Sequence, residues 1–231
     1  MDIETAKKLE ELPKEALKRL NDYYNSSEEM RHDRIQEEGL KILFQSNDWR
    51  NNDTAERVYI KVAALNDFYS TNIYGTANVA DIILSMKDFD NRLAQHDLRI
   101  VDDLNNNRKQ TISSSGKKYP GIYSFASKYC AHHHPNVYPI YDSYVEQMLW
   151  YWQKKDNFLE NDSISSLQKL HNHFMESYSN FVNAIKLFQK KYNLEDDLRA
   201  TDRYLWLKGS ECFGKKEIIS HVGEPLLRYP T

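Results

Sequence analysis

The chain has 231 residues, 40% hydrophobic and 28% charged, which supplies a real core and excludes a disordered chain. Only 7 residues are glycine, which argues against an all-β sandwich with its many tight turns and against a glycine-rich nucleotide cradle. The formal net charge of −3 is not the global balance of a nucleic-acid binder, although a local patch can serve that purpose.

Apolar residues recur at helical spacing through most of the chain. Residues 4–24 carry Leu9, Leu12, Ala16, Leu17 and Leu20 between charges and predict an amphipathic helix. The same pattern runs from Glu28 to Phe44. Asp53 or Thr54 caps a helix that is apolar on most faces through Phe68 and is therefore expected to be central. A short helix follows over Ala77–Met86, then a polar stretch holding Leu93, Leu98 and Ile100. Residues 105–120, NNNRKQTISSSGKKYP, read as a loop because they hold almost no apolar side chains. Helical spacing returns at 121–131 and is broken by HHHPNVYP. Asp142 or Ser143 caps a helix through Trp152, Ser163–Tyr192 reads as one long helix, and a last helix spans Asp196 to Lys208 with Gly209 as its C-cap. No segment alternates with period two over six residues, so the expected fold is all-α, a compact array of seven to nine helices.

Residues 1–20 are charged throughout and lack the apolar centre of a signal peptide. No apolar run approaches the roughly 20 residues that cross a bilayer. Two cysteines, Cys130 and Cys212, make no disulfide framework and fit a reducing compartment. A soluble cytoplasmic protein without a membrane partner is expected.

Local charge is more informative than net charge. From Leu104 to Tyr141 there is no Asp or Glu, while Arg108, Lys109, Lys117, Lys118 and Lys128 give +5 over 38 residues. Tyr119, Tyr123, Tyr129, Tyr138 and Tyr141 interleave with these cations. Cations beside aromatic faces suit phosphate contact and base stacking, although a solvated loop that lacks acids has the same composition.

The triplet His132-His133-His134 near Cys130 invites a zinc reading, with His171, His173 or Cys212 as further ligands. Three consecutive histidines cannot converge on one point from a regular element, and neither CxxC nor HExxH occurs, so no metal site is assigned. GxSxG, GxxxxGK[ST] and GxGxxG are also absent. Asp142 in YPIYDSYV follows a proline-stiffened turn and precedes an apolar helix. It is a plain N-cap or, alternatively, a carboxylate at a pocket mouth that steadies a developing cation. Lys128 in SFASKYC either points inward with a lowered pKa or snorkels to solvent. In DRYLWLKG, Trp206 sits between Leu205 and Leu207, and YSTNIYG places Tyr69, Thr71 and Asn72 at the end of the central helix.

In order, LNDFYSTNI, PGIYSFASKYCAHHHP, YPIYDSYV and ATDRYLWLKG form a pattern over roughly residues 55–210. It resembles the helix-hairpin-helix DNA glycosylase superfamily, and more closely its divergent bacterial branch similar to 8-oxoguanine DNA glycosylase. The resemblance implies a helix-hairpin-helix element gripping the DNA backbone, with Pro120-Gly121 in place of the hairpin's usual Gly-x-Gly. It implies that Tyr138-Pro139-Ile140-Tyr141-Asp142 is the turn bearing the catalytic aspartate, with one extra residue before Asp142. FASKY around Lys128 matches an FxTKxL element, and the Schiff-base lysine of lyase-active members falls closer to the hairpin than Lys128. Under this resemblance the catalytic residues are Asp142 and Lys128. Arg108, Lys109, Lys117, Lys118 and Gly121 contact nucleic acid, and Tyr69, Asn72, Tyr141 and Trp206 line a base pocket. Residues 1–50 become an N-terminal helical appendage and 51–231 the glycosylase-like domain.

The expectation is thus a DNA-binding, base-excising N-glycosylase of DNA repair, without cofactor. The alternatives are a non-catalytic binder of nucleic acid or a nucleotide-like ligand on the same scaffold, and an all-α protein–protein module.

Overall fold

Eleven helices and no strand form among residues 9, 11–71, 73–113, 116–194 and 197–214, which the computed structural model describes. In chain order they are α1 (Pro13–Ser26), α2 (Arg31–Gln45), α3 (Ala55–Phe68), α4 (Thr76–Ser85), α5 (Phe89–Ala94), α6 (Arg99–Gln110), α7 (Tyr123–His133), α8 (Ser143–Asp156), α9 (Leu167–Glu176), α10 (Tyr178–Lys191) and α11 (Leu198–Phe213). The all-α expectation holds. The count exceeds seven to nine because α5 forms in the stretch read as polar after Met86 and two further stretches divide differently.

The first is the polar run 105–120. Its beginning is helical, since α6 continues to Gln110. The inner face of α6 repeats at Ile100, Val101, Leu104, Asn105 and Arg108, all buried. Two polar side chains occupy slots that helical spacing reserves for apolar ones, which is why the segment reads as loop. The second is Ser163–Tyr192, which breaks at Ser177. The Ser177 hydroxyl accepts from Ser179 N, and the Asp102 carboxylate accepts from Tyr178 N at 3.0 Å. Those two caps end α9 and restart α10.

Gly209 also differs from its expected place. It lies inside α11, where a Cβ would meet Tyr144 O at 2.7 Å and Tyr144 Cβ at 2.8 Å. It is a contact glycine that lets α11 press against the first turn of α8, not a C-cap. At the other end, the predicted helix over 4–24 is interrupted at residues 11–12, and α1 starts at Pro13, whose missing N–H costs nothing at a helix N-terminus.

One core runs through the chain. Many of the 16 tyrosines are in it: Tyr129, Tyr138, Tyr178 and Tyr204 are fully buried beside Trp152, Phe181 and Phe188. α1 packs against α11, and α2 against α3 and α7. Leu20, Tyr24, Leu40 and Phe44 are buried in that same core. No described helix is long and apolar enough to cross a membrane.

Candidate functional site

The turn between α7 and α8 carries Asp142, and side chains from three helices hold its backbone. Tyr178 of α10 donates its hydroxyl to Pro139 O at 2.5 Å. Asp202 of α11 accepts from Ile140 N at 3.0 Å. Ser127 of α7 accepts from Tyr141 N at 3.0 Å, and Ser124, one turn earlier, donates to Tyr141 O at 3.0 Å. An extended segment buried among helices has no ladder to satisfy it, so these side chains replace the missing backbone partners.

Asp142 then caps α8, its Oδ1 accepting from Tyr144 N at 2.9 Å. Its second oxygen, Oδ2, lies 3.6 Å from Lys128 Nζ. The lysine is 4% exposed, so it points inward rather than snorkelling. Its ammonium donates to Ser124 Oγ at 2.6 Å and to Tyr141 O at 3.4 Å, and lies 5.3 Å from the centre of the Tyr69 ring. Burial pulls the Lys128 pKa below the ordinary lysine value, and Asp142 and then Asp202 pull the other way.

Two clefts meet at this pair. An inner one, about 830 Å³ with its open mouth, reaches between α2 and α11 to Glu37, Arg199 and Asp202. An outer one, about 1200 Å³ on the same measure, runs along Tyr74, Tyr119 and Gly121. Tyr69, Lys128, Asp142 and Trp206 line both. Four of the residues singled out in the sequence therefore stand at one seam.

The wall of the inner cleft is charged and internally paired. Glu37 takes Arg199 at 3.0 Å, Arg203 at 3.3 Å and the Tyr24 hydroxyl at 2.6 Å. Burial alone would raise the Glu37 pKa, but Arg199, the Tyr24 hydroxyl and Arg203 outweigh it and hold the carboxyl down at about 2. Asp202 behaves in the opposite way. Burial pushes its carboxyl up to about 7 against the pull of the Ile140 N–H, Arg199 and Lys128. Its Oδ1 is buried without a hydrogen-bond partner.

Along the outer cleft, α6 and α7 are joined by a short hairpin with a single antiparallel bridge, Ile112 to Lys118. Lys117 and Lys118 are exposed on it, and Lys109 is exposed on the last turn of α6. Arg108 is not a surface cation. It is 1% exposed, places its guanidinium carbon over the Tyr119 ring at 3.6 Å from the ring centre, and donates to Asn78 Oδ1 and Tyr74 O. Gly121 permits a close approach, since a Cβ there would meet Lys109 Cε at 2.5 Å and Asn105 Oδ1 at 2.6 Å. Asn105 Oδ1 in turn accepts from Ile122 N at 2.8 Å and so sets the entry into α7.

The other sequence candidates separate. Tyr141 turns its ring onto Tyr123 and Phe181 in the core, with its hydroxyl donating to Glu146 at 2.9 Å, so only its backbone carbonyl serves the Lys128 site. Asn72 lies outside the described residues. The three histidines diverge. His132 meets the Tyr69 hydroxyl at 2.9 Å, His133 meets Asn52 Nδ2 at 3.2 Å, and His134 packs edge-on against His96. Burial drops the His132 pKa to about 3. Among the described residues no three His, Cys, Asp or Glu side chains gather to hold a metal ion. The sequence reading missed Ser124, Ser127 and Tyr178, which fix the turn, and Asp202. The two serines at i, i+3 on one helix face were the visible signal.

Fold and site together define an all-α protein with a lysine–aspartate pair where two clefts join. The family model HI_0787_N, described as an N-terminal domain, matches residues 17–137, just over half of the chain, and the chain belongs to that family. The match takes in the hairpin and Lys128 and stops before Asp142. An uncharacterized protein of Haemophilus influenzae (strain Rd) is 40% identical over 152 residues, 66% of this chain and 66% of that protein. The chain thus spans just under two thirds of that relative's length. No solved structure matches the chain.

Proposed function

We propose that this protein binds DNA along the outer cleft and excises a damaged or modified base as an N-glycosylase, in a cytoplasmic repair setting. The observation that carries this is the Lys128–Asp142 pair at 3.6 Å, at the junction of an outer cleft flanked by exposed lysines and an inner one, with Tyr69 and Trp206 on the seam between them. In this reading the hairpin between α6 and α7 acts as a helix-hairpin-helix grip, with Lys109, Lys117 and Lys118 on phosphates. A base taken out of the stack enters the inner cleft and is held by the aromatic faces of Tyr69 and Trp206. That leaves its sugar at the seam.

Breaking the C1′–N bond sends the electron pair to the base and leaves a cation-like sugar, as in glycoside hydrolysis. Asp142 supplies the facing anion. It faces the α8 N-terminus and Lys128, and the clamped turn keeps it in place. Water then adds to C1′ and its surplus proton passes to Asp142. Lys128, whose N–H groups are taken up by Ser124, Tyr141 and Asp142, serves as the cation that orients the carboxylate.

The test is base release from a panel of duplexes, each with one damaged base, scored as alkali-labile abasic sites. Release that depends on Asp142 supports the reading. A second reading, a non-catalytic DNA binder, draws on the fact that Asp142 Oδ1 is already spent as a helix cap. It is supported by tight, salt-dependent binding without release from any duplex.

A further inference from the structure

Asp202 stands apart from the rest of the inner cleft. Glu37 is saturated by two arginines and a tyrosine, and Asp142 by a lysine and a helix N-terminus. Asp202 spends only Oδ2, on the Ile140 N–H, and its Oδ1 is buried without a partner although the residue lines the cleft. A carboxyl oxygen left unpaired in a protein interior is costly, and one that persists at a cleft invites a functional account.

Resting on the base-excision reading, we propose that Asp202 is the proton donor to the departing base, which makes the substrate an uncharged base that must gain a proton to leave rather than a cationic alkylated base. The two carboxyls of the site then divide the work by environment. Asp142 turns its two oxygens to a helix N-terminus and to Lys128. Asp202, 4% exposed, holds its proton below about pH 7, because burial pushes its carboxyl up to about that value. The groups facing Asp202 are Lys128 of α7, Arg199 and Asp197 of its own helix and cap, Tyr69 at the C-cap of α3 and Tyr178 of α10.

The proton count closes. Asp202 gives its carboxyl proton to a ring nitrogen or exocyclic atom of the base as the C1′–N electron pair moves onto the base, and Asp202 becomes a carboxylate. Water adds to C1′, Asp142 takes the surplus proton, and exchange with solvent returns one proton to Asp202. The net change is hydrolysis.

The experiment compares full-length wild type with Asp202→Asn on two kinds of duplex under single turnover. One carries an uncharged lesion such as hypoxanthine or 8-oxoguanine, the other the cationic 7-methylguanine. Asn keeps an oxygen for the Ile140 N–H but has no acidic proton. Release of an uncharged base is expected to fall about 10²–10⁴-fold in the variant, the usual yield of general acid catalysis. Release of 7-methylguanine should change little. In wild type, release of the uncharged base should decline as pH rises through about 7, with the slope of one proton, while 7-methylguanine release stays flat. Equal losses on both duplexes would show a merely structural role and overturn the proposal, as would an uncharged-base rate that is unaffected by the variant or flat across pH. A wild type that releases no base from any duplex removes the glycosylase reading itself and this step with it, an outcome distinct from an active wild type with an equally active variant.

Discussion

Replacing Asp142 by Asn separates the cap from the anion. The amide keeps an oxygen for the Tyr144 N–H, and Asn caps a helix about as well as Asp, so α8 should start in the same place. What disappears is the charge 3.6 Å from Lys128 Nζ. At an effective dielectric of about 20, two unit charges at that distance attract by about 5 kcal/mol, which is a ceiling. Asp142 is 24% exposed, so solvent takes part of that, and the buried lysine can shed its proton rather than remain an unpaired ion. The net cost should be about 1–2 kcal/mol, or roughly 2–8 °C in Tm for a chain of this size. Loss of an electrostatic group aimed at the developing cation should cost about 10²–10³ in rate. Thermal unfolding gives the first figure and single-turnover base release the second, with DNA affinity measured alongside. Full activity in Asp142→Asn on a duplex that wild type cleaves would refute the role given to this carboxylate. A stability loss well above the ceiling would refute the pairing argument.

Three other outcomes follow from the geometry. The triple variant Lys109→Ala, Lys117→Ala, Lys118→Ala should weaken DNA binding and make the slope of log affinity against log salt shallower by about 2–3, at roughly 0.9 per phosphate contact. An unchanged slope in a salt titration would place the DNA surface elsewhere. Gly209→Ala should destabilise by about 1–3 kcal/mol in denaturant unfolding, because its Cβ would meet Tyr144 backbone and Cβ rather than a flexible tip. A neutral result would mean that α8 and α11 are not so closely packed. Glu37 has a folded pKa of about 2, below its ordinary 4.5, so its stabilisation is present above pH 4.5 and is lost as pH falls toward 2. Glu37→Gln should therefore show a shallower acid limb in Tm against pH, and parallel curves would discount the Arg199 and Arg203 pairing.

The helical class was legible because apolar spacing survives in α2, α3 and α8. Boundaries failed where polar side chains did structural work. Asn105 and Arg108 face inward along α6, and Asp102 and Ser177 cap α10 across a run of unbroken helical spacing. Asp142 and Lys128 were legible as local motifs, but their meeting was not, since 14 positions separate them and a turn clamped by Tyr178, Ser127 and Asp202 brings them together. Asp202 lies inside the quoted motif DRYLWLKG, where nothing in the residue order singles it out. Only its burial and its unpaired oxygen distinguish it, and neither is written in the residue order.

The stack of Tyr119 on Arg108 bears on how tightly the lysine hairpin can hold a ligand. The guanidinium joins the base of the hairpin to α4 through Asn78 and to Tyr74, and Tyr119 N returns to Thr111 O at 3.1 Å. Ordering a loose backbone on binding costs about 1–2 kcal/mol per residue. A hairpin already fixed at its base has met that cost during folding, so encounter with a polyanion asks only for the lysine side chains to settle. Affinity then tracks how well the spacing of those ammonium groups matches the ligand's charges, and a flexible polyanion that adapts to them loses more freedom than a stiff one whose charges already stand in register.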